Sequence, residues 1–184
     1  MAKRTRNMAM AAVAAAVLGM PRVSAAADAN AMVPEMPAPH VRSSNSELVD
    51  LMQQATERSR TFRGLVDTIN HSDSIVFVNK GRCGHGVRAC FVNVTFSSGT
   101  RYMFVLVDIH ETDAALMGSI AHELRHTIEV IGEPNIRDYV AKFYFYEKIA
   151  SRDDNGAHET RAAIEAGNTV RAEVRRFASR MRSE

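Results

Sequence analysis

The sequence predicts an α+β domain in which a short antiparallel or mixed sheet of about three strands packs against helices. Two observations favour this class. Apolar residues recur at helical spacing on both sides of the chain's middle, and three runs rich in β-branched and aromatic residues lie between them, at 74–79, 88–96 and 101–109. Two helices, three strands and three further helices in that order are typical of α+β proteins.

Two helices are predicted before the first strand. Ser44-x-x-Glu47 is a capping box that begins the first, and the second covers 61–70. The residues expected to face the core are Leu48, Leu51, Met52 and Ala55 in the first helix and Phe62, Leu65, Val66 and Ile69 in the second.

The second and third strands are predicted to form a hairpin, because Ser-Ser-Gly-Thr at 97–100 is a good turn between them. Cys83 and Cys90 flank the connection between the first two strands, and in an exported protein such a pair indicates a disulfide. A second metal site that uses Cys83, His85 and Cys90 is the alternative, although it lacks a fourth ligand.

The helix after the sheet contains the pattern that points to chemistry, His122-Glu123-x-x-His126. Thr112 is its expected N-cap, with Asp113 in the first turn, and Gly132 ends it. Residues i and i+4 share a helix face, so both imidazoles can reach one ion. We therefore expect a hydrolytic zinc centre, in which Glu123 deprotonates a zinc-bound water without being a ligand.

The third zinc ligand is predicted to be Glu159, which stands near the start of the last helix, where Ala162 and Ala163 permit close packing. Glu165 is the reserve candidate. Glu129 lies one turn after His126, and three successive turns of a rigid helix converge poorly on one ion. We interpret Glu129 as a group that orients a histidine N–H.

Two helices follow the metal-site helix. The first is marked by Ile136, Tyr139, Val140, Phe143, Tyr146 and Ile149, and Asp153 to Gly156 ends it. The second runs from about His158 to the C-terminus. Its inward residues are predicted to be Ile164, Val170, Val174 and Phe177, with the arginines mostly outward.

Residues 1–27 have the pattern of an export signal that is cleaved near Ala25–Ala27: a basic start, a short apolar run and small residues. The apolar run is shorter than the roughly 20 residues that cross a bilayer, so no membrane span is expected. A proline-rich leader is predicted at 28–43 and a single domain at 44–184. The protein is expected to be periplasmic or secreted.

The basic excess of the chain lies in the export signal. Cleavage after Ala25 removes four of the 23 basic residues and leaves 19 against 21 acidic ones. A mature chain with this balance gives no support to nucleic-acid binding, and we expect none.

His122-Glu123-Leu124-Arg125-His126, together with Glu159-Thr160-x-x-Ala163, resembles the zincin-type zinc metallopeptidases whose third ligand is a glutamate on a later helix. The chain is also similar to small exported bacterial proteins that carry such a motif. The resemblance implies a zincin-like domain, a peptide or protein substrate, and a cleft strand, here 101–109, that binds the substrate backbone. Candidate oxyanion donors are His110, Tyr139, Tyr144, Tyr146 and His158. The alternative is an inactive zinc-binding domain or a protein-interaction domain.

Overall fold

The computed structural model describes residues 38–84, 86–110, 113–152 and 158–183. The predicted signal segment and most of the predicted leader lie outside the described residues, as do His85, Thr112 and the predicted loop at 153–156.

The described residues form a mixed α and β domain with five helices. The helices are α1 (Ser46–Arg58), α2 (Arg60–Asn70), α3 (Ala114–Ile131), α4 (Tyr139–Ile149) and α5 (Arg161–Arg180). The strands are β1 (Val41–Arg42), β2 (Ser74–Lys80), β3 (Ala89–Ser97), β4 (Thr100–Val107), β5 (Ser151–Arg152) and β6 (His158–Glu159). The three long strands and five helices confirm the predicted order.

The sheet has four strands in the order β1-β2-β4-β3, one more than predicted, and β5 and β6 form a separate antiparallel pair. β2 is parallel to β1 and β4, whereas β3 and β4 form the predicted antiparallel hairpin. Its two turn residues, Ser98 and Gly99, have φ of 50° and 83°. Two positive φ values are typical of the tight turn that matches the twist of a hairpin.

One face of the sheet packs into the core. In β2 and β4 the buried residues alternate with half-buried ones, so Val76, Val78, Met103 and Val105 share this face. Helices α1, α2 and α3 contact the sheet, and α5 packs on α3. All eight apolar residues predicted to face the core from the first two helices are buried, except Val66, which is half-buried.

Two helix caps differ from the predicted ones by a single residue. Asn45, not Ser44, is the N-cap of α1, and its side chain accepts a hydrogen bond from the Leu48 N–H at 3.0 Å. Asp113 is itself the N-cap of α3 and accepts from the Leu116 N–H at 2.7 Å. Asn and Asp are as suitable as Ser and Thr for the N-cap, so residue type alone does not show which of two adjacent residues is the cap.

The predicted apolar face of α4 is confirmed only in part, because Tyr146 is buried and Phe143 is half-buried. Tyr139, Val140 and Ile149 are exposed, whereas Lys142 and Tyr146 are the buried residues of this helix. The apolar side chains of α4 itself point to nearly every side of the helix, so their spacing does not identify the face that will be buried.

Helix α5 begins three residues later than predicted, with Thr160 as its N-cap. Val170 and Val174 are buried as expected, but Ile164 and Phe177 are exposed. None of the helices in the described ranges is long and apolar enough to cross a membrane.

Candidate metal centre

Helix α3 is held at both ends, and this fixes where its two histidines point. Asp113 caps its first turn, and the buried Arg101 side chain from β4 caps its last turn. One guanidinium nitrogen donates to the carbonyls of Val130 (2.8 Å) and Glu133 (3.1 Å), and the other donates to Ile131 (3.0 Å). Val130 and Ile131 lie in the last turn of α3, where a carbonyl has no N–H four residues later within the helix, and a cation is favoured at this end of the helix dipole.

His122 and His126 lie on one face of α3, as their spacing predicts. Their Nε2 atoms are 3.1 Å apart, and their rings meet edge to face with centroids 4.8 Å apart. Two nitrogens at this distance are both directed at one point between the helix and its neighbours.

The carboxylate of Glu159 completes the group. Its Oε2 atom lies 3.0 Å from His122 Nε2. This is the distance of an ion pair, and among the described residues this buried oxygen is left without a hydrogen-bond partner. A buried carboxylate oxygen without a partner is costly, and a cation between it and the imidazoles would remove that cost.

The side chains of His122, His126 and Glu159 can therefore hold a metal ion. One ligand atom from each lies within 4.8 Å of the others. Two ligand atoms that are each about 2.05 Å from a tetrahedral ion are about 3.3 Å apart, which is near the observed 3.0 and 3.1 Å.

Glu129 orients one of these histidines. Its Oε2 atom lies 2.9 Å from His126 Nδ1, and its Oε1 atom accepts from the Thr160 hydroxyl at 2.6 Å. A carboxylate only accepts, so His126 carries its proton on Nδ1 and presents the Nε2 lone pair to an ion. Burial opposes ionisation of Glu129, but the hydrogen bonds from His126 and Thr160 outweigh it and lower the pKa of the carboxyl.

These contacts are the ones that the predicted orienting role of Glu129 requires. They also tie α3 to the N-cap of α5, directly after Glu159. Glu165, the reserve ligand, is not brought to the group, because it is exposed on α5 and pairs with Arg161 at 2.7 Å.

Glu123 is buried next to the three ligand atoms. Its Oε2 atom accepts from the Phe91 N–H at 2.7 Å, and its Oε1 atom lies 3.9 Å from His122 Nε2. Burial raises the pKa of the Glu123 carboxyl, and the neighbouring histidines oppose the rise. Burial by itself would lower the pKa of the His122 ring. The carboxylates of Glu159 and Glu123 outweigh this effect and raise the pKa.

Two glycines explain how α5 comes close enough to α3 to deliver Glu159. A Cβ on Gly118 would lie 2.7 Å from the Gly167 carbonyl oxygen, and one on Gly167 would lie 2.9 Å from the Gly118 oxygen and 3.2 Å from His122 Cβ. The helices therefore cross with their backbones in contact directly beside the first histidine.

The comparisons with known proteins do not identify a family. No protein-family model, curated protein or solved structure matches the chain. The resemblance to zincin-type peptidases therefore depends on the motif residues, and it stays a prediction.

Lys142 is a residue of this site that the sequence analysis missed. Its side chain is only 7% exposed, and Nζ donates to the carbonyls of Phe91 (2.8 Å) and Val92 (3.1 Å) in β3. Burial lowers the pKa of Lys142 to about 8, although the charge of Glu123 opposes the shift. A lysine within an apolar helix usually extends to solvent, so no sequence signal marks it.

The edge strand beside the centre is β3, not β4. The 101–109 segment was expected to edge the cleft, but β4 lies between β2 and β3 and both its edges are paired. The β3–β4 register shifts between Phe91 and Asn93. Such bulges change the direction of backbone groups, and here the Phe91 N–H points at Glu123.

The five oxyanion candidates differ in their surroundings. Tyr146 is buried against the His126 ring, and its hydroxyl donates to the His126 carbonyl at 2.8 Å. Burial, with the nearby Glu129 charge, raises the pKa of Tyr146. His158 Nε2 lies 2.6 Å from Glu147 Oε1. The other three candidates, Tyr139, Tyr144 and His110, have exposed side chains.

The disulfide between Cys83 and Cys90 is confirmed, with the two Cα atoms 5.8 Å apart. It closes the connection between β2 and β3 as predicted. Both sulfurs are used in this bond, so the alternative metal site with cysteine ligands is wrong.

Proposed function

We propose that the protein is an exported zinc-dependent hydrolase that cleaves peptide bonds in a peptide or protein substrate. His122, His126 and Glu159 are the zinc ligands, and Glu123 is the general base. The observation that carries this proposal is the convergence of two imidazole nitrogens and a buried carboxylate oxygen beside Glu123.

The donor set supports zinc. Two neutral imidazoles and one carboxylate are the ligands of a hydrolytic zinc site, which keeps a fourth position open for water or substrate. A zinc ion in this position would lower the pKa of a water and polarise a substrate carbonyl. The contact between Glu129 and His126 adds the hydrogen bond that zinc-binding histidines commonly make through their second nitrogen.

The two oxygens of Glu123 are suited to different tasks. Oε2 is fixed by the Phe91 N–H, and Oε1 faces the ligand atoms at 3.9 Å from His122 Nε2. We expect Oε1 to accept the proton of the attacking water and to pass it to the leaving amine. The fixed oxygen keeps the carboxylate oriented through both transfers.

Export is supported by the disulfide, because such bonds persist in oxidising compartments. It agrees with the signal predicted at 1–27. Identification of the N-terminus of the protein recovered from the periplasm or medium of expressing cells would test the cleavage near Ala25–Ala27.

The metal site is tested by elemental analysis of the wild type and of the variants His122→Ala and Glu159→Ala. Stoichiometric zinc in the wild type should be lost in both. Glu165→Ala is the matched control, because Glu165 is exposed and pairs with Arg161 instead of the site. Zinc retained after Glu159→Ala would refute the ligand assignment.

Hydrolysis is tested separately from metal binding with Glu123→Gln. The zinc-loaded wild type should cleave a denatured protein substrate, a chelator should abolish cleavage, and zinc should restore it. Loss of a general base costs about 10²–10⁴-fold in rate, so Glu123→Gln should bind zinc and lose nearly all activity.

The second candidate function is an inactive zinc-binding domain. Lys142 occupies the Phe91 and Val92 carbonyls, and Glu123 accepts from the Phe91 N–H, so this part of the β3 edge is engaged within the protein. This function predicts stoichiometric zinc in the wild type with no hydrolysis that depends on Glu123.

A further inference from the structure

Six arginines gather where the last turns of α5 meet the junction between α1 and α2. No ion pair among the described residues involves any of their guanidinium groups. We call these residues the arginine face: Arg58, Arg60, Arg175, Arg176, Arg180 and Arg182.

Two adjacent cavities open on the arginine face, and Arg58 lines both. The larger, of about 410 Å³, is also lined by Arg175 and Arg182. The smaller, of about 230 Å³, is also lined by Arg60, Arg176 and Arg180. Several guanidinium groups around one concave surface suit phosphate oxygens, because each presents a planar fork of N–H donors.

The carboxylates that border these cavities are already engaged elsewhere. Asp113 pairs with Arg88 at 2.9 Å and caps α3. Glu173 accepts from the Thr61 N–H at 3.0 Å and from the Ser59 hydroxyl, which lowers the pKa of its carboxyl against the effect of burial. Arg176 is close enough to contribute to that shift, but it forms no ion pair with any residue in the described ranges. Glu173 keeps its negative charge, because these partners are neutral, but it is one carboxylate among six arginines, so the arginine face keeps a net positive charge.

Two apolar side chains lie among these arginines on α5 and the turn that follows it. Phe177 is 39% exposed and lines the smaller cavity, and Met181 is 61% exposed. They are four residues apart, so they lie on the same side of the helix. Apolar residues flanked by arginines are typical of a helix that lies in the interface of an anionic membrane.

We propose that the arginine face binds the surface of a bilayer containing anionic phospholipids. The arginines contact lipid phosphates, and Phe177 and Met181 enter the boundary between headgroups and acyl chains. The apolar pair is what favours a lipid surface over a free phosphate or a nucleic acid, since neither of these offers an apolar phase. The contact is peripheral, and it does not depend on the metal centre.

The test is co-sedimentation of the protein, purified after expression of the full chain, with phospholipid vesicles. Vesicles of phosphatidylcholine alone are compared with vesicles that also contain phosphatidylglycerol. The wild type should bind only the anionic vesicles, and high salt should release it.

Substitutions assign the binding to the face. Each arginine near an anionic surface contributes about fivefold in affinity, so Arg176→Gln with Arg180→Gln should weaken binding about 30-fold. Met181→Ser should weaken it about tenfold, because an apolar side chain no longer enters the bilayer. The Arg161 side chain is 91% exposed at the other end of α5. Arg161→Gln is therefore the matched control, and it should bind the anionic vesicles as the wild type does.

These variants share residues 1–37 with the wild type, so any difference in binding belongs to the arginine face. Circular dichroism and urea unfolding check that each remains folded. Equal binding by the wild type and the double variant, or no binding to anionic vesicles, overturns the proposal. Tighter binding to a single-stranded DNA oligonucleotide than to vesicles overturns it in favour of a nucleic-acid partner, and competition by inorganic phosphate alone in favour of a free anion.

Discussion

Replacing Gly118 by alanine should destabilise the protein and weaken metal binding, because the new methyl group would collide with the backbone of α5. It would lie 2.7 Å from the Gly167 carbonyl oxygen and 2.6 Å from side-chain atoms of Arg171. The long Arg171 side chain can move aside, but the carbonyl oxygen belongs to a helix. The two helices must therefore separate by about 0.7 Å to restore an ordinary contact.

The expected loss follows from two opposing terms. Forced overpacking costs about 1–3 kcal/mol, whereas alanine is favoured over glycine within a helix by about 0.8–1 kcal/mol. The net loss of stability should be about 1 kcal/mol, within a range of about 0–2 kcal/mol. Gly64→Ala is the matched control, since Gly64 is exposed in α2 and an added Cβ there meets nothing within 4 Å. That variant should gain about 0.5–1 kcal/mol.

Urea unfolding with chelator measures both variants without metal, and a zinc titration then measures affinity. A separation of about 0.7 Å exceeds the roughly 0.2 Å that metal-ligand distances tolerate, so Gly118→Ala should also bind zinc more weakly. If Gly118→Ala proves as stable as Gly64→Ala and binds zinc equally well, the contact between helix backbones does not position Glu159.

Two further predictions concern buried cations. For Lys142 the folded pKa of about 8 lies below the ordinary 10.5, so the unfolded chain holds more protons between these values, and stability should rise with pH in that window. Urea unfolding should show the wild type gaining about 2 kcal/mol relative to Lys142→Met between about pH 7.5 and 9.5, and a constant difference would contradict the shifted pKa. Arg101→Lys should lose about 3 kcal/mol in the same assay, because one ammonium nitrogen with three donors cannot replace two guanidinium nitrogens that make four bonds, three to carbonyls and one to Asp73. Arg161→Lys, at an exposed pair, should cost almost nothing, and equal effects of the two substitutions would argue against the capping role of Arg101.

The fold was predictable where one periodic pattern dominated a segment. Helices α1 and α2 bury the predicted residues, and the turn at Ser98 and Gly99 joins the predicted hairpin. Helix α4 was misread because apolar residues cover most of its surface. In such a helix the packing partner selects the buried face, and here the β3 carbonyls select Lys142 over Tyr139 and Val140.

The metal centre was likewise predictable only in part. His122, Glu123 and His126 are adjacent in the sequence, so helical geometry alone brings them together. Glu159 could be proposed from its place near the start of the last helix, with Glu165 as the reserve, but the sequence does not show which of the two side chains faces the histidines. The crossing of α5 over α3 separates the two, because it brings the residue before the Thr160 N-cap to His122 and leaves Glu165 in solvent.

By itself, the sequence determined the order of helices and strands, the disulfide and the paired imidazoles, because each depends on residues close together in the chain or on a local period. Only the tertiary structure decided that β4 is an inner strand, that Lys142 is buried beside β3, and that Glu159 meets the histidines. These features depend on contacts between residues far apart in the chain. Their free energy comes from packing and desolvation, which no local pattern records.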